Sequence, residues 1–118
     1  MDEMIDRLLH RNLLDVFNER DATRRARAIA EVYTQDVTFT DAEGVVTGPL
    51  ALERRAQEIL DGAPGFVFRP VEPSRVVGDL GVLSWHFGPE GEPPVVSGTD
   101  ICLVRDGRIA TVHTLLDG

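Results

Sequence analysis

The sequence predicts an α+β domain in which three N-terminal helices pack on one face of a strongly curved antiparallel sheet. Three observations predict it. Apolar residues recur at helical spacing in the first half of the chain, and from residue 66 onward short strand-like runs follow one another. Glycine, proline and Asp-Gly separate those runs where turns belong. The chain has 118 residues, 42% of them hydrophobic, which suits one domain spanning 1–118 with a single core.

The elements follow in order. Ile5, Leu8, Leu9, Leu13, Val16 and Phe17 form an apolar stripe that predicts an amphipathic helix over residues 2–18. Asp21 or Thr23 can cap a second helix, whose inner face carries Ala26, Ile29, Ala30 and Tyr33. Residues 37–41 alternate as a strand, Ala42-Glu43-Gly44 turns the chain, and 45–47 returns it. Gly48-Pro49 opens a third helix with Leu52, Ala56, Ile59 and Leu60 inward, and Gly62 can end it in a left-handed cap. Strands are predicted at 66–71, 75–77, 82–87, 95–104 and 108–116, with loops at 78–81 and 88–94.

Charge excludes several partners. The net charge is −8, and every one of the 12 basic residues other than histidine is arginine. An acidic surface repels phosphate backbones, so nucleic acid is not an expected partner. The one basic cluster, Arg24, Arg25 and Arg27, reads as a solvated helix face. No apolar run reaches the length of a membrane span, and the opening MDEMIDRLL lacks a signal-peptide core, so the expected location is cytoplasmic. Cys102 stands alone, which rules out an intrachain disulfide and offers no metal-ligand spacing, so no metal site is expected.

The last hairpin carries the ionisable groups. Asp106-Gly107 predicts a type I′ turn. Direct pairing across it sets Arg105 opposite Arg108, Val104 opposite Ile109, Cys102 opposite Thr111 and Asp100 opposite His113. Strand alternation then gathers Val104, Ile109, Cys102, Thr111, Asp100 and His113 on one face, with Ile101, Leu103, Ala110 and Val112 on the other. A hairpin over 88–94 brings Trp85 near Gly98 and Leu83 near Asp100, so Trp85, Leu83 and Phe87 join the Asp100 face while His86 points away. Aromatic residues around a carboxylate and an imidazole are the ingredients of an apolar pocket with a few polar groups.

Several short stretches, in this order and spacing, resemble the NTF2-like superfamily of ketosteroid isomerases, SnoaL-type polyketide cyclases and limonene epoxide hydrolases. They are Tyr33-Thr34-Gln35-Asp36-Val37-Thr38-Phe39-Thr40-Asp41, Gly44, Gly48, Trp85-His86-Phe87-Gly88, Gly98-Thr99-Asp100 and Asp106-Gly107-Arg108-Ile109. The resemblance covers nearly the whole chain and is nearest to the SnoaL-like group. It implies a cone: a bent sheet around a pocket, closed by three helices, and a homodimer formed through the outer sheet face.

Residue by residue, the resemblance places Asp41 where ketosteroid isomerases keep their general base. Asp100 falls where they keep a protonated aspartic acid that donates to the substrate oxygen. Phe17 replaces their oxyanion-hole tyrosine and cannot donate, and His113 stands where they carry a small apolar residue. The cyclases resemble the chain mainly in one pocket aspartate that acts as acid and base. The hydrolases activate water with an Asp–Arg–Asp set, and no arginine is expected in the pocket strands. The expected function is therefore a small cofactor-free enzyme that takes a proton from an apolar carbonyl compound and returns it. Asp41 would be the base, Asp100 and His113 would stabilise the enolate oxygen and shuttle protons, and Phe17, Tyr33, Phe39, Phe68, Leu83, Trp85, Phe87, Cys102 and Leu115 would hold the apolar ligand. The alternatives are a non-catalytic module that binds a small molecule or a protein, and an epoxide-hydrolase-like enzyme.

Overall fold

The computed structural model describes residues 2–117. Helix α1 (Asp2–Arg11) runs directly into a π-helical segment (Asn12–Phe17), and α2 (Ala22–Val32) follows. Then come β1 (Tyr33–Asp41), β2 (Gly44–Thr47), α3 (Pro49–Asp61), β3 (Phe66–Pro70), β4 (Arg75–Val77), β5 (Leu80–Pro89), β6 (Val96–Arg105) and β7 (Arg108–Leu116). The apolar stripe of the first helix is buried as its spacing predicts, with Ile5, Leu9, Leu13 and Val16 at 1% exposure or less. Asp21 caps α2 by accepting from the Arg24 amide at 2.9 Å, and Pro49 occupies the first turn of α3.

Local details depart from the sequence reading. Tyr33 is the first residue of β1 rather than the last inward residue of α2. Gly62 is right-handed (φ −79°), not a left-handed cap. Arg20 explains the difference, because its guanidinium donates to the carbonyls of Leu60, Ala63 and Phe66 and closes the end of α3 from outside. The left-handed turn comes later, at Gly65 (φ 82°). Arg25 does not lie on a solvated face. It is fully buried between α2 and α3, donating to Glu53 at 2.7 Å, to the Glu19 carbonyl at 2.6 Å and to Gln57.

The seven strands form one open, curved sheet in the order β2-β1-β7-β6-β5-β3, with β4 beside β5. The sheet is mixed rather than wholly antiparallel, because β1 lies parallel to β7. A parallel pair needs a long crossover, and everything from β2 to β6 supplies it. The helices cover the concave face, and the core lies between them and Leu83, Cys102, Ile109 and Val112 of the sheet.

The turn at Asp106 (φ 54°) and Gly107 (φ 76°) has both central residues left-handed, as type I′ requires. Beyond it the register slips. Val104 faces Ile109, but Leu103 faces Thr111, so Ala110 is an extra residue on β7. Every later pair is displaced by one: Cys102 faces Val112, Ile101 faces His113, and Asp100 faces Thr114. The expected pairing of Asp100 with His113 is therefore replaced, and the inner and outer faces of β7 exchange beyond the bulge.

Two glycines mark where layers meet too closely for a side chain. A Cβ on Gly81 would sit 2.7 Å from Ile5 and 2.8 Å from Leu9, so α1 rests directly on β5 there. A Cβ on Gly98 would sit 2.6 Å from the Leu115 carbonyl oxygen and 2.8 Å from the Trp85 ring. Gly98 thus leaves the space in which the indole lies across β6. Gly98→Ala is expected to cost about 1–3 kcal/mol of stability through overpacking. Urea unfolding followed by Trp85 fluorescence checks this, and an unchanged midpoint would contradict the packing.

Candidate active site

The concave face and the helices enclose an apolar cavity of about 220 Å³. Five aromatic side chains line it, each from an expected position: Phe17, Phe39, Phe68, Trp85 and Phe87. Phe17 stacks on Phe39 with centroids 5.1 Å apart, Phe68 stacks on Phe87 at 3.9 Å, and Trp85 meets Phe68 edge-on at 5.1 Å. Leu13 and Ile59 from the helices and Val96 and Leu116 from the sheet complete the apolar wall.

Asp100 is set into this wall with 5% of its surface exposed. A buried carboxylate is costly unless donors surround it. Three side chains supply them, each from a different element. Thr114 Oγ1 donates to Oδ1 at 2.8 Å, Trp85 Nε1 donates to Oδ1 at 3.1 Å, and Asn12 Nδ2 donates to Oδ2 at 3.0 Å. Behind Asn12, the Tyr33 hydroxyl donates to its Oδ1. Among the described residues no buried side-chain nitrogen or oxygen lacks a partner. Burial raises the Asp100 carboxyl from its usual 3.8 to about 6, against the opposing pull of the Thr114, Trp85 and Asn12 hydrogen bonds.

At another part of the cavity wall, Asp41 and Arg55 form a pair that is nearly buried on both sides, 12% and 13% exposed. Arg55 Nε and Nη2 both donate to Asp41 Oδ2, at 3.0 and 2.7 Å, and the Glu43 amide donates to Asp41 Oδ1 at 2.9 Å. Glu43 and Glu58 also approach Arg55, at 3.1 and 3.3 Å. Burial alone would loosen the Arg55 proton, but the bonds to Asp41 and Glu43 outweigh it and push its pKa up.

The remaining expected residues lie elsewhere. His113 is exposed on the outer face, where it pairs with Ile101 and Thr40. Leu115 is 60% exposed on that same outer face, and its neighbour Leu116 lines the cavity instead. Both displacements follow from the single extra residue Ala110. Tyr33, Leu83 and Cys102 are buried behind the cavity wall rather than lining it. Burial also pushes the Cys102 thiol well up, which keeps it an uncharged, inert filler. Among the described residues no group of three or more His, Cys, Asp or Glu side chains could hold a metal ion, and no helix is long and apolar enough to cross a membrane.

Sequence reasoning missed Asn12, Arg55 and Thr114. Asn12 interrupts the apolar stripe between Leu9 and Leu13, and a polar residue at an inward position was the available signal. Arg55 faces Asp41 from a helix, so a search confined to strands could not find it. Thr114 needed the bulge.

The profile of the SnoaL-like domain family matches residues 10–112. The chain belongs to the SnoaL-like domain family. No curated protein sequence matches this SnoaL-like domain significantly. Among solved structures it is similar to a protein from Agrobacterium tumefaciens described provisionally as an isomerase of the SnoaL-like family, with TM-score 0.90 and 22% identity over 100% of both chains. It is also similar to a provisionally assigned SnoaL-like polyketide cyclase from Jannaschia sp., with TM-score 0.80 and 15% identity over 98% of this chain and 86% of that one. A de novo designed protein with a curved β-sheet matches at TM-score 0.74 and 12% identity, over 99% of this chain and 88% of that one. These likenesses establish the NTF2-like fold.

Asp100 makes a measurable contribution to the pH dependence of stability. Its folded pKa is above its unfolded value, so between about pH 4 and 6 the folded SnoaL-like domain binds more protons than the unfolded chain. The stabilisation from this group is complete below about pH 4 and is lost as pH rises through about 6. The full change is about 3 kcal/mol. Asp100→Asn removes it, so the variant should gain about that much relative to the parent between pH 4 and 8. Urea midpoints of the two proteins across this range check the expectation, and parallel curves would contradict it.

Proposed function

We propose that this SnoaL-like domain is a cofactor-free isomerase or polyketide-cyclase-like enzyme that acts on an apolar carbonyl compound by proton abstraction and return. One feature supports this above all: a carboxyl group is buried in the wall of an aromatic, apolar cavity, where desolvation raises its pKa to about 6. A general base or acid works best when its pKa lies near the working pH. In this reading the Asp100 carboxylate takes a proton from the carbon beside the carbonyl. The C–H electron pair moves into an enolate, and the Asp100 O–H then returns the proton to another carbon or to the alkoxide of a closed ring.

The other groups take different parts from those expected. Asp41 is ion-paired with Arg55 through two bonds to one oxygen, whereas the side chains bonded to Asp100 are all neutral, so in this reading Asp41 holds Arg55 and Asp100 takes the proton. Phe17 is packed on Phe39 and donates nothing, and the Thr114 hydroxyl is committed to Asp100, so the donor left on the cavity wall for a developing oxyanion is the many-donor guanidinium of Arg55. His113 has no catalytic part in this reading, because it faces outward.

The test is deuterium exchange and turnover with a panel of small cyclic ketones in D₂O, followed by proton NMR. Asp100→Asn should lower turnover about 100-fold or more with little change in KM, while His113→Ala should leave it unchanged. If the ketones bind and no compound exchanges or converts, the domain is a ligand-binding module instead. That second reading draws on the designed protein, whose likeness means that a curved sheet with covering helices does not by itself imply chemistry. We also propose that a second copy packs on the outer sheet face, where Leu103 and Leu115 stand exposed. Sedimentation equilibrium should give twice the chain mass, and Leu103→Glu should return it to that of one chain.

A further inference from the structure

The hydrogen-bond chain behind Asp100 can be satisfied in one sense only. Asn12 is fully buried and Tyr33 is 1% exposed, and the Tyr33 hydroxyl has Asn12 as its sole side-chain partner among the described residues. As it stands, the phenol donates to Asn12 Oδ1, which turns the amide nitrogen toward Asp100 Oδ2. The reverse arrangement would have a protonated Asp100 donating to Asn12 Oδ1, with the Asn12 amide nitrogen donating to the tyrosine oxygen. The phenolic hydrogen would then be stranded in the interior, a cost of about 1–3 kcal/mol. Tyr33 therefore fixes Asn12 as a donor to Asp100.

The consequence concerns where the Asp100 proton can sit. Trp85 Nε1 is a donor only, and Asn12 is locked as a donor, so neither can accept that proton. What remains is the unoccupied position on Oδ2 and the Thr114 hydroxyl, and Asp100 and Thr114 both line the cavity. We propose that Tyr33 and Asn12 are positioning residues that confine the exchangeable proton of Asp100 to the cavity side, so that it leaves and returns only toward a bound ligand. This rests on the reading of Asp100 as the proton-transfer group. The other titratable groups facing Asp100 are Tyr33 and Cys102, both held uncharged by burial. Asp41 and Arg55 elsewhere on the cavity wall are bonded to one another, and His113 lies on the far face of the sheet.

The sequence supplies its own reporters. Trp85 is the only tryptophan and bonds directly to Asp100, so its fluorescence titration reads the Asp100 carboxyl, and Tyr33 is the only tyrosine. In Tyr33→Phe the amide loses its lock, and the titration midpoint should rise by about one pH unit. Asn12→Leu should raise it similarly, and adding Tyr33→Phe to Asn12→Leu should shift it no further. Replacing the tyrosine with 3-fluorotyrosine strengthens the donor while keeping the fold, and should move the midpoint the opposite way, downward. A midpoint in Tyr33→Phe equal to that of the parent, whatever happens to melting temperature, would overturn the proposal. So would an equal Tyr33→Phe shift with and without Asn12, or an unmoved midpoint in the fluorotyrosine protein. The readout needs no substrate, so shifted titrations beside absent deuterium exchange would leave the relay standing and remove the enzymatic reading alone.

Discussion

A carboxylate cannot lie in an apolar wall unless its oxygens find donors, and at Asp100 those donors are Asn12 at the start of the π-helical segment, Trp85 on β5 and Thr114 on β7. Each must reach one side chain, so the first helix, the centre of the sheet and the last strand are tied to a common point. Gly98 leaves room for the indole to lie in place, and the Ala110 bulge turns Thr114 inward. Buried polar networks of this kind penalise any packing that leaves a member unsatisfied. The desolvation that makes this group costly to bury also raises its pKa, which suits it to the proton transfer proposed for it.

The cavity separates its two aspartates by environment. Asp100 faces neutral donors and burial dominates, so its proton is held up to near neutrality. Asp41 faces Arg55 and a backbone amide, and its oxygens are committed to them. Two carboxyl groups lining one cavity thus differ in their surroundings, and in the proposed reading one exchanges a proton while the other orients a cation. Arg55 is shared with Glu43 and Glu58, which makes that part of the wall acidic.

The fold alone carries little of this chemistry. Similar backbones occur in proteins provisionally described as an isomerase and a cyclase and in a designed protein, all at 22% identity or less. The chemistry here rests on the side chains placed on the concave face: Phe17 stacked on Phe39, and an asparagine–tyrosine pair behind the acid.

The sequence by itself determined where the helices and strands lie, the Asp106-Gly107 turn and the aromatic wall, because each is written in local periodicity or turn chemistry. It misplaced the inner face of α2, where Ala26 and Ala30 are exposed and Arg25, Ala28 and Val32 are buried beside Ile29. It also determined that Asp100 faces Trp85, since the β5–β6 hairpin keeps a regular register, with Leu83 opposite Asp100 and Trp85 opposite Gly98. It could not determine the register of β7. An inserted residue leaves no mark in a strand whose two faces are both apolar, yet it exchanges those faces, so Thr114 and Leu116 turn inward where His113 and Leu115 were expected. Nor could local patterns pair Asp41 with Arg55 from a helix, orient β1 parallel to β7, or bring Asn12 to an acid 88 positions away. Those were decided by the tertiary structure, because only there must every buried charge find its partner.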